Sequence, residues 1–150
     1  MATETGTLIL RPIASKGDLT ISMPAETPVE DYWKLVNEET SDDDTTYIEL
    51  SDYPLNVNSF LVETPEKIKI KSVSSVHFWS RHKKMDSGGT VSNSMTGALV
   101  NYETDHEIIS STGVHSSTIS NYQNTYWNFD NLADNTDVVD EIIKCLNNGT

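Results

Sequence analysis

Apolar residues in this chain come in short alternating runs that recur along nearly its whole length, each broken within a few residues by glycine, proline or polar pairs. Alternation marks a strand with one covered face, and closely spaced short strands indicate an antiparallel all-β domain. The runs are "TLILRP" (7–12), which Pro12 is expected to end, and "DLTISM" (18–23), with Leu19, Ile21 and Met23 on one face. They continue as "TTYIEL" (45–50), "SFLVE" (59–63), "ALVNYE" (98–103), "HEIISS" (106–111), "VHSSTIS" (114–120) and "YQNTYW" (122–127). The longest, "KIKIKSVSSVHFWSRHKK" (67–84), carries Ile68, Ile70, Val76 and Phe78 on one parity and Val73, His77 and Trp79 on the other. Apolar residues on both parities predict a central strand covered on both faces.

Two segments break the rhythm. In "VEDYWKLVNE" (29–38), Val29, Tyr32, Trp33 and Val36 fall at i, i+3, i+4 and i+7, which predicts a helix with Thr27 as cap and Pro28 at the first helical position. Tyr32 and Trp33 would anchor it to a sheet edge. In "TDVVDEIIKCLNNG", Val138, Val139, Ile142, Ile143 and Leu146 form one stripe. That stripe predicts a helix over 137–147, with Thr136 as cap, acids in the first turn and Asn148–Gly149 closing the end. "DSGG" (86–89) signals a turn, and Pro24 and Pro28 bracket a loop.

The 150 residues fit one domain, 1–150, of which 1–6 are polar enough to serve as a flexible arm. Hydrophobic residues make up 36%, which suits two thin layers better than a deep core. With 10 Lys and Arg against 23 Asp and Glu, the net charge is −13, a field that repels phosphate backbones and argues against DNA or RNA as partner. The basic cluster Arg81, His82, Lys83 and Lys84 is short and reads as a solvated strand end. No stretch approaches the roughly 18 apolar residues of a membrane span. The opening "MATETGTLIL" lacks the basic start of a signal peptide.

Candidate chemistry is sparse. "NEETSDDDTTYIEL" (37–50) places three aspartates between a helical and a strand-like stretch. An EF-hand loop needs Asp at alternating positions, a glycine at its sixth place and a glutamate at its twelfth, whereas this run has contiguous aspartates, no glycine at the sixth place and Asp52 only eleven positions in. Asp42 or Asp44 with loop carbonyls could still hold Ca²⁺; otherwise the run is a solvated corner between helix and strand. His77 and His82 lie five apart, so on one strand they point to opposite faces. His106 and His115 could meet across a hairpin, but no cysteine or carboxylate pattern joins them for zinc. Cys145, the single cysteine, sits among apolar neighbours and reads as buried filler. No serine lies in G-x-S-x-G; "TVSNSMTG" and "SSTGVHSS" read as turns. "SGGT" (87–90) is too short and too far from a helix to cradle phosphate. A glycosidase pair could hide among the 23 acids, since its two carboxylates need no sequence signature. The reading is non-enzymatic, with no cofactor and no assigned binding residues.

Four features together resemble a β-sandwich family of virion and tail-associated proteins from tailed phages and prophages. "TGTLILRP" is similar to the family's "xLRP" start, and "YWKLVNEETSDDDTTYI" to its tyrosine-to-aspartate stretch. "IKSVSSVHFWSRHKK" resembles its long strand ending in basic residues, and "EIIKCLNNG" its closing helix. The likeness runs from Thr7 to Gly149, and residues 32–48 are its most specific part. The chain departs from the family at "NFDNLADNTD" (128–137), which keeps neither the proline nor the second tryptophan of the family's turn.

The resemblance implies a jelly-roll-like antiparallel β-sandwich of about eight or nine strands with short helices near 29–38 and 137–147. It implies a structural component of a phage particle: a capsid decoration or head-fibre protein, or a tail accessory subunit. Its partners would be major capsid or tail proteins, with homo-oligomers expected. The aspartate run then becomes an architectural corner after which Tyr47 and Ile48 enter the sandwich. The alternative is a carbohydrate-binding module of the virion for adhesion to the host surface, for which Trp79, Tyr102, Tyr122, Tyr126 and Trp127 are the available aromatics. A hydrolase, the third class, would need a pocket of convergent carboxylates.

Overall fold

A computed structural model of the chain describes residues 4–16, 21–22, 28–40, 42–43, 49–50, 59–83, 93–111, 115–117 and 122–150. Within them the chain is β-rich. The strands are β1 Pro12–Lys16, β2 Ile21–Ser22, β3 Glu49–Leu50, β4 Ser59–Val62 and β5 Val76–His82. They continue as β6 Asn93–Met95, β7 Ala98–Val100, β8 Glu107–Ser110, β9 His115–Ser117 and β10 Gln123–Phe129. A single α-helix, α1 Thr136–Asn148, follows them. Among the described residues the strands pair two by two and antiparallel: β1 with β4, β2 with β3, β5 with β10, β6 with β9, and β7 with β8.

Several boundaries move for identifiable reasons. Pro12 opens β1 instead of ending a strand over 7–12; the first strand position is where a missing N–H disturbs no ladder. The predicted helix over 29–38 is a 3₁₀ helix, Val29–Leu35, and Pro28 stands just before it with extended backbone (ψ 145°). In an α-helix the Trp33 N–H would turn to the carbonyl of residue 29; here it donates to Ser15 Oγ at 2.9 Å, tying the helix to β1. Tyr32 is buried there, as expected of the aromatic anchor. Thr27, the proposed cap, lies outside the described residues, as do the "DSGG" turn and Tyr47 and Ile48. "TVSNSMTG", read as turn, contributes β6, which pairs with β9.

The long run 67–84 is the largest departure. Only Val76–His82 is strand, and among the described residues it pairs with β10 alone. Val73 packs against the core from an irregular stretch, whereas Ile68 and Trp79 are exposed. The two parities therefore have separate causes, and the double-sided cover of a central strand is not among the described contacts. This irregular stretch is held in place by α1. Asn147 offers its side-chain amide as a substitute peptide, with Ile70 N–H donating to Oδ1 and Nδ2 donating to Ile70 O, both at 2.9 Å.

Helix α1 matches its sequence closely. The cap is Asn135, one residue before the expected Thr136, with Oδ1 accepting from the Val138 N–H at 3.4 Å. Gly149 ends the helix with φ 77°, a left-handed conformation that glycine adopts at least cost. The helix stripe buries Ile142 and Cys145 against Ile108 of β8 and Leu132, with Val73, Val76, Leu99, Phe129 and Leu146 around them. Among the described residues the most deeply buried hydrophobic side chain is Ile142, still 3% exposed, so the core is thin. No helix among the described residues is long and apolar enough to cross a membrane.

Candidate functional site

The register of β5 with β10 sorts the aromatic residues. Trp79 lies opposite Tyr126, Arg81 opposite Asn124, and Phe78 opposite Trp127. Strand side chains alternate between faces, so His77, Trp79, Arg81, Asn124, Tyr126 and Asn128 share one face of the ribbon. Phe78, Ser80, His82, Thr125, Trp127 and Phe129 take the other. The second face is the inner one: Trp127 is only 5% exposed, and Phe78 meets Phe129 edge-on with centroids 5.5 Å apart. Its polar members gather at one end, where Ser80 Oγ lies 3.3 Å from His82 Nδ1 and Thr125 Oγ1 lies 3.5 Å from His82 Nε2. These contacts satisfy polar groups on an otherwise apolar face.

On the outer face Trp79 is 54% and Tyr126 58% exposed. With Asn124, Glu39 and Thr40 they line an open groove of about 390 Å³. Trp79 and Tyr126 are adjacent across the ribbon, and exposed large aromatics side by side are the informative kind of surface apolarity. The groove is flanked by charge. Arg81 Nη1 donates to Asn124 Oδ1 at 3.4 Å, and Arg11 Nη2 lies 3.5 Å from Glu39 Oε1.

Arg81 also places the middle aspartate of the run. Its Nε donates to Asp43 Oδ1 and its Nη2 to Asp43 Oδ2 at 2.8 Å, a two-pronged pair. These hydrogen bonds hold the Asp43 carboxyl below the usual aspartate range, helped by the charges of Arg81 and Lys83 and opposed by burial. The same hydrogen bonds raise Arg81 further, also against burial. Asp43 sits at φ 54° in the left-handed region, which aspartate tolerates better than most residues. The corner after the 3₁₀ helix is thus fastened to β5 and not simply solvated. The basic cluster is likewise engaged: Arg81 Cζ and Lys83 Nζ lie 5.4 and 4.7 Å from the Tyr122 ring centroid. Lys84 and Asp44 lie outside the described residues.

Asp43→Asn is expected to lower the melting temperature at neutral pH. The Asp43 carboxyl titrates lower in the folded chain than in the unfolded one, so its stabilisation is complete above the ordinary aspartate pKa and fades as acid reaches the folded value. Melts of both proteins from pH 7 down through the acid range should show the gap between them closing. A gap independent of pH would contradict the pairing.

The remaining candidates scatter. His77 Nε2 contacts Asp130 Oδ1 and His106 Nδ1 contacts Glu141 Oε1, each at 2.9 Å and each exposed. Exposed pairs of this kind contribute little. The side chain of His115 lies outside the described residues. Among the described residues no three His, Cys, Asp or Glu side chains converge as metal ligands would. Cys145 is a buried free thiol in α1. Of the five aromatics considered for glycan binding, Trp127 is core, and Tyr102 lies under Lys16, whose Nζ is 5.2 Å from its ring centroid. Tyr122 carries the cations described above.

Comparison with family models, with curated proteins and with solved structures finds no match to this chain.

Proposed function

We propose that this chain is a non-enzymatic structural component of a tailed-phage particle, a capsid decoration or head-fibre protein or a tail accessory subunit, that works by protein–protein assembly. In this reading the small antiparallel ribbons belong to a two-layer jelly-roll sandwich, and homo-oligomers set by particle symmetry are expected. The sequence resemblance over residues 7–149 supports it. The observation that carries it is the segment before and into β1. Residues 4–10 form neither helix nor strand, and Leu8, Ile9 and Ile13 are exposed there, Ile9 at 70%. Three exposed aliphatic residues within six positions suit an arm that docks on a neighbouring subunit.

The exposed apolar residues sit just beyond the polar residues 1–6, so the test belongs at Leu8 and Ile9. The double variant Leu8→Asp/Ile9→Asp should fold normally, since both side chains already face water, yet enter purified particles about tenfold less than the parent, as loss of two interface anchors predicts. Mass-spectrometric quantification of particle content reads this directly, and undiminished incorporation would remove the arm's role.

A further inference from the structure

We propose that the groove lined by Glu39, Thr40, Trp79, Asn124 and Tyr126 binds a neutral pyranose unit of a glycan. The inference is independent of the assembly reading, because it concerns the outer face of the β5–β10 ribbon and not the N-terminal arm.

Trp79 and Tyr126 stand opposite each other in the ribbon register and are both more than half exposed, although each is a large ring that would gain by being covered. A pyranose ring presents a flat patch of C–H groups on one side and hydroxyls around its rim. The aromatic pair offers a platform for the C–H face. Thr40, Asn124 and Glu39 offer a hydroxyl, an amide and a carboxylate at the rim, the groups that direct sugar hydroxyls. The Asn124 amide is oriented: its oxygen accepts from Arg81, so its NH₂ is the half left to donate. The groove, about 390 Å³, is open to solvent, so it would meet one face of a sugar ring and leave the other in water.

The charges decide the ligand class. A net charge of −13 and the Glu39 carboxylate disfavour phosphorylated or acidic sugars. For a cation the charges nearest the rings are already matched, Glu39 by Arg11 and Asp43 by Arg81, which leaves it little to pair with. An apolar protein segment would be matched by aliphatic neighbours, whereas the non-aromatic residues lining this groove are polar. A neutral, hydroxyl-rich ligand satisfies all three constraints.

The test is calorimetric titration of the full chain with maltohexaose, cellohexaose and mannohexaose, and with choline as the cationic comparison. At least one neutral oligosaccharide should bind. Its affinity should fall about tenfold or more in Trp79→Ala and in Tyr126→Ala, and severalfold in Asn124→Ala, in line with loss of anchoring contacts. Both rings are exposed, so the unfolding midpoints of these variants should stay near the parent's, and near-UV circular dichroism checks that directly. The proposal is overturned if none of the three sugars binds at millimolar concentration, if binding survives both ring variants, or if choline alone binds. It is equally overturned if the ring variants bind no sugar differently but lose incorporation into particles, since the face would then be a protein interface.

Discussion

Trp127→Ala is expected to lower the free energy of unfolding by about 3–5 kcal/mol, the usual cost of truncating a buried aromatic. Trp127 is 5% exposed and lies opposite Phe78 on the inner face of the β5–β10 ribbon. Gly97, just before β7, fits closely against it: a β-carbon at that position would come within 3.2 and 3.3 Å of two indole carbons and 3.5 Å of the Phe78 ring. The indole is therefore packed by a backbone that cannot easily collapse into the space it leaves, which places the cost in the upper part of that range. Domains of this size hold about 5–15 kcal/mol in total, so the variant should unfold at a much lower urea concentration. Trp79→Ala is the matched comparison. It removes a ring of the same kind from the outer face of the same ribbon, and surface changes of this sort stay within about 0.5 kcal/mol. Equal midpoints for the two variants would mean that the two faces are not distinguished as described. The same contrast shows why Trp127 is unsuited to testing glycan binding: its loss would be read as unfolding.

The second large effect belongs to Ile142→Ala, for which about 2–5 kcal/mol of destabilisation is expected. Ile142 is 3% exposed and belongs to the cluster formed with Ile108, Leu132 and Cys145. The core is thin, so one side chain on α1 carries a large share of the contact between the helix and β8. Loosening α1 should also free the irregular stretch that Asn147 holds through Ile70. Hydrogen exchange of the Ile70 amide should therefore accelerate in Ile142→Ala along with the amides of α1. Lys144→Ala, on the exposed side of the same helix, should leave both stability and exchange nearly unchanged. If Ile142→Ala leaves the Ile70 amide as protected as in the parent, the coupling through Asn147 is absent.

Local pattern made part of this molecule legible. The 3.6-residue stripe from Val138 to Leu146, the acids before it and the glycine after it specify α1 almost to its ends, because those signals act within one or two helical turns. Strands β4 and β8 fall within the alternating runs that announce them, and β10 begins within its run and continues two residues past it to Phe129. Even the misplaced limits at Pro12 and Pro28 are errors of a residue's role at a boundary, not of its presence there.

Partnership was not legible in the same way. Nothing near Asp43 indicates that its carboxylate grips Arg81, 38 residues further on, and nothing near Val76 indicates that β5 lies beside β10. Tyr126 and Trp127 are neighbours of similar composition, yet one stands in water and the other is buried. Alternation required them to point to opposite faces. Which face would be covered depended on where β7, β8 and α1 came to rest, a choice made by contacts between segments far apart in the chain. Short-range physics set the elements and their two-sidedness; long-range packing chose the covered side, and with it left Trp79 and Tyr126 facing outward.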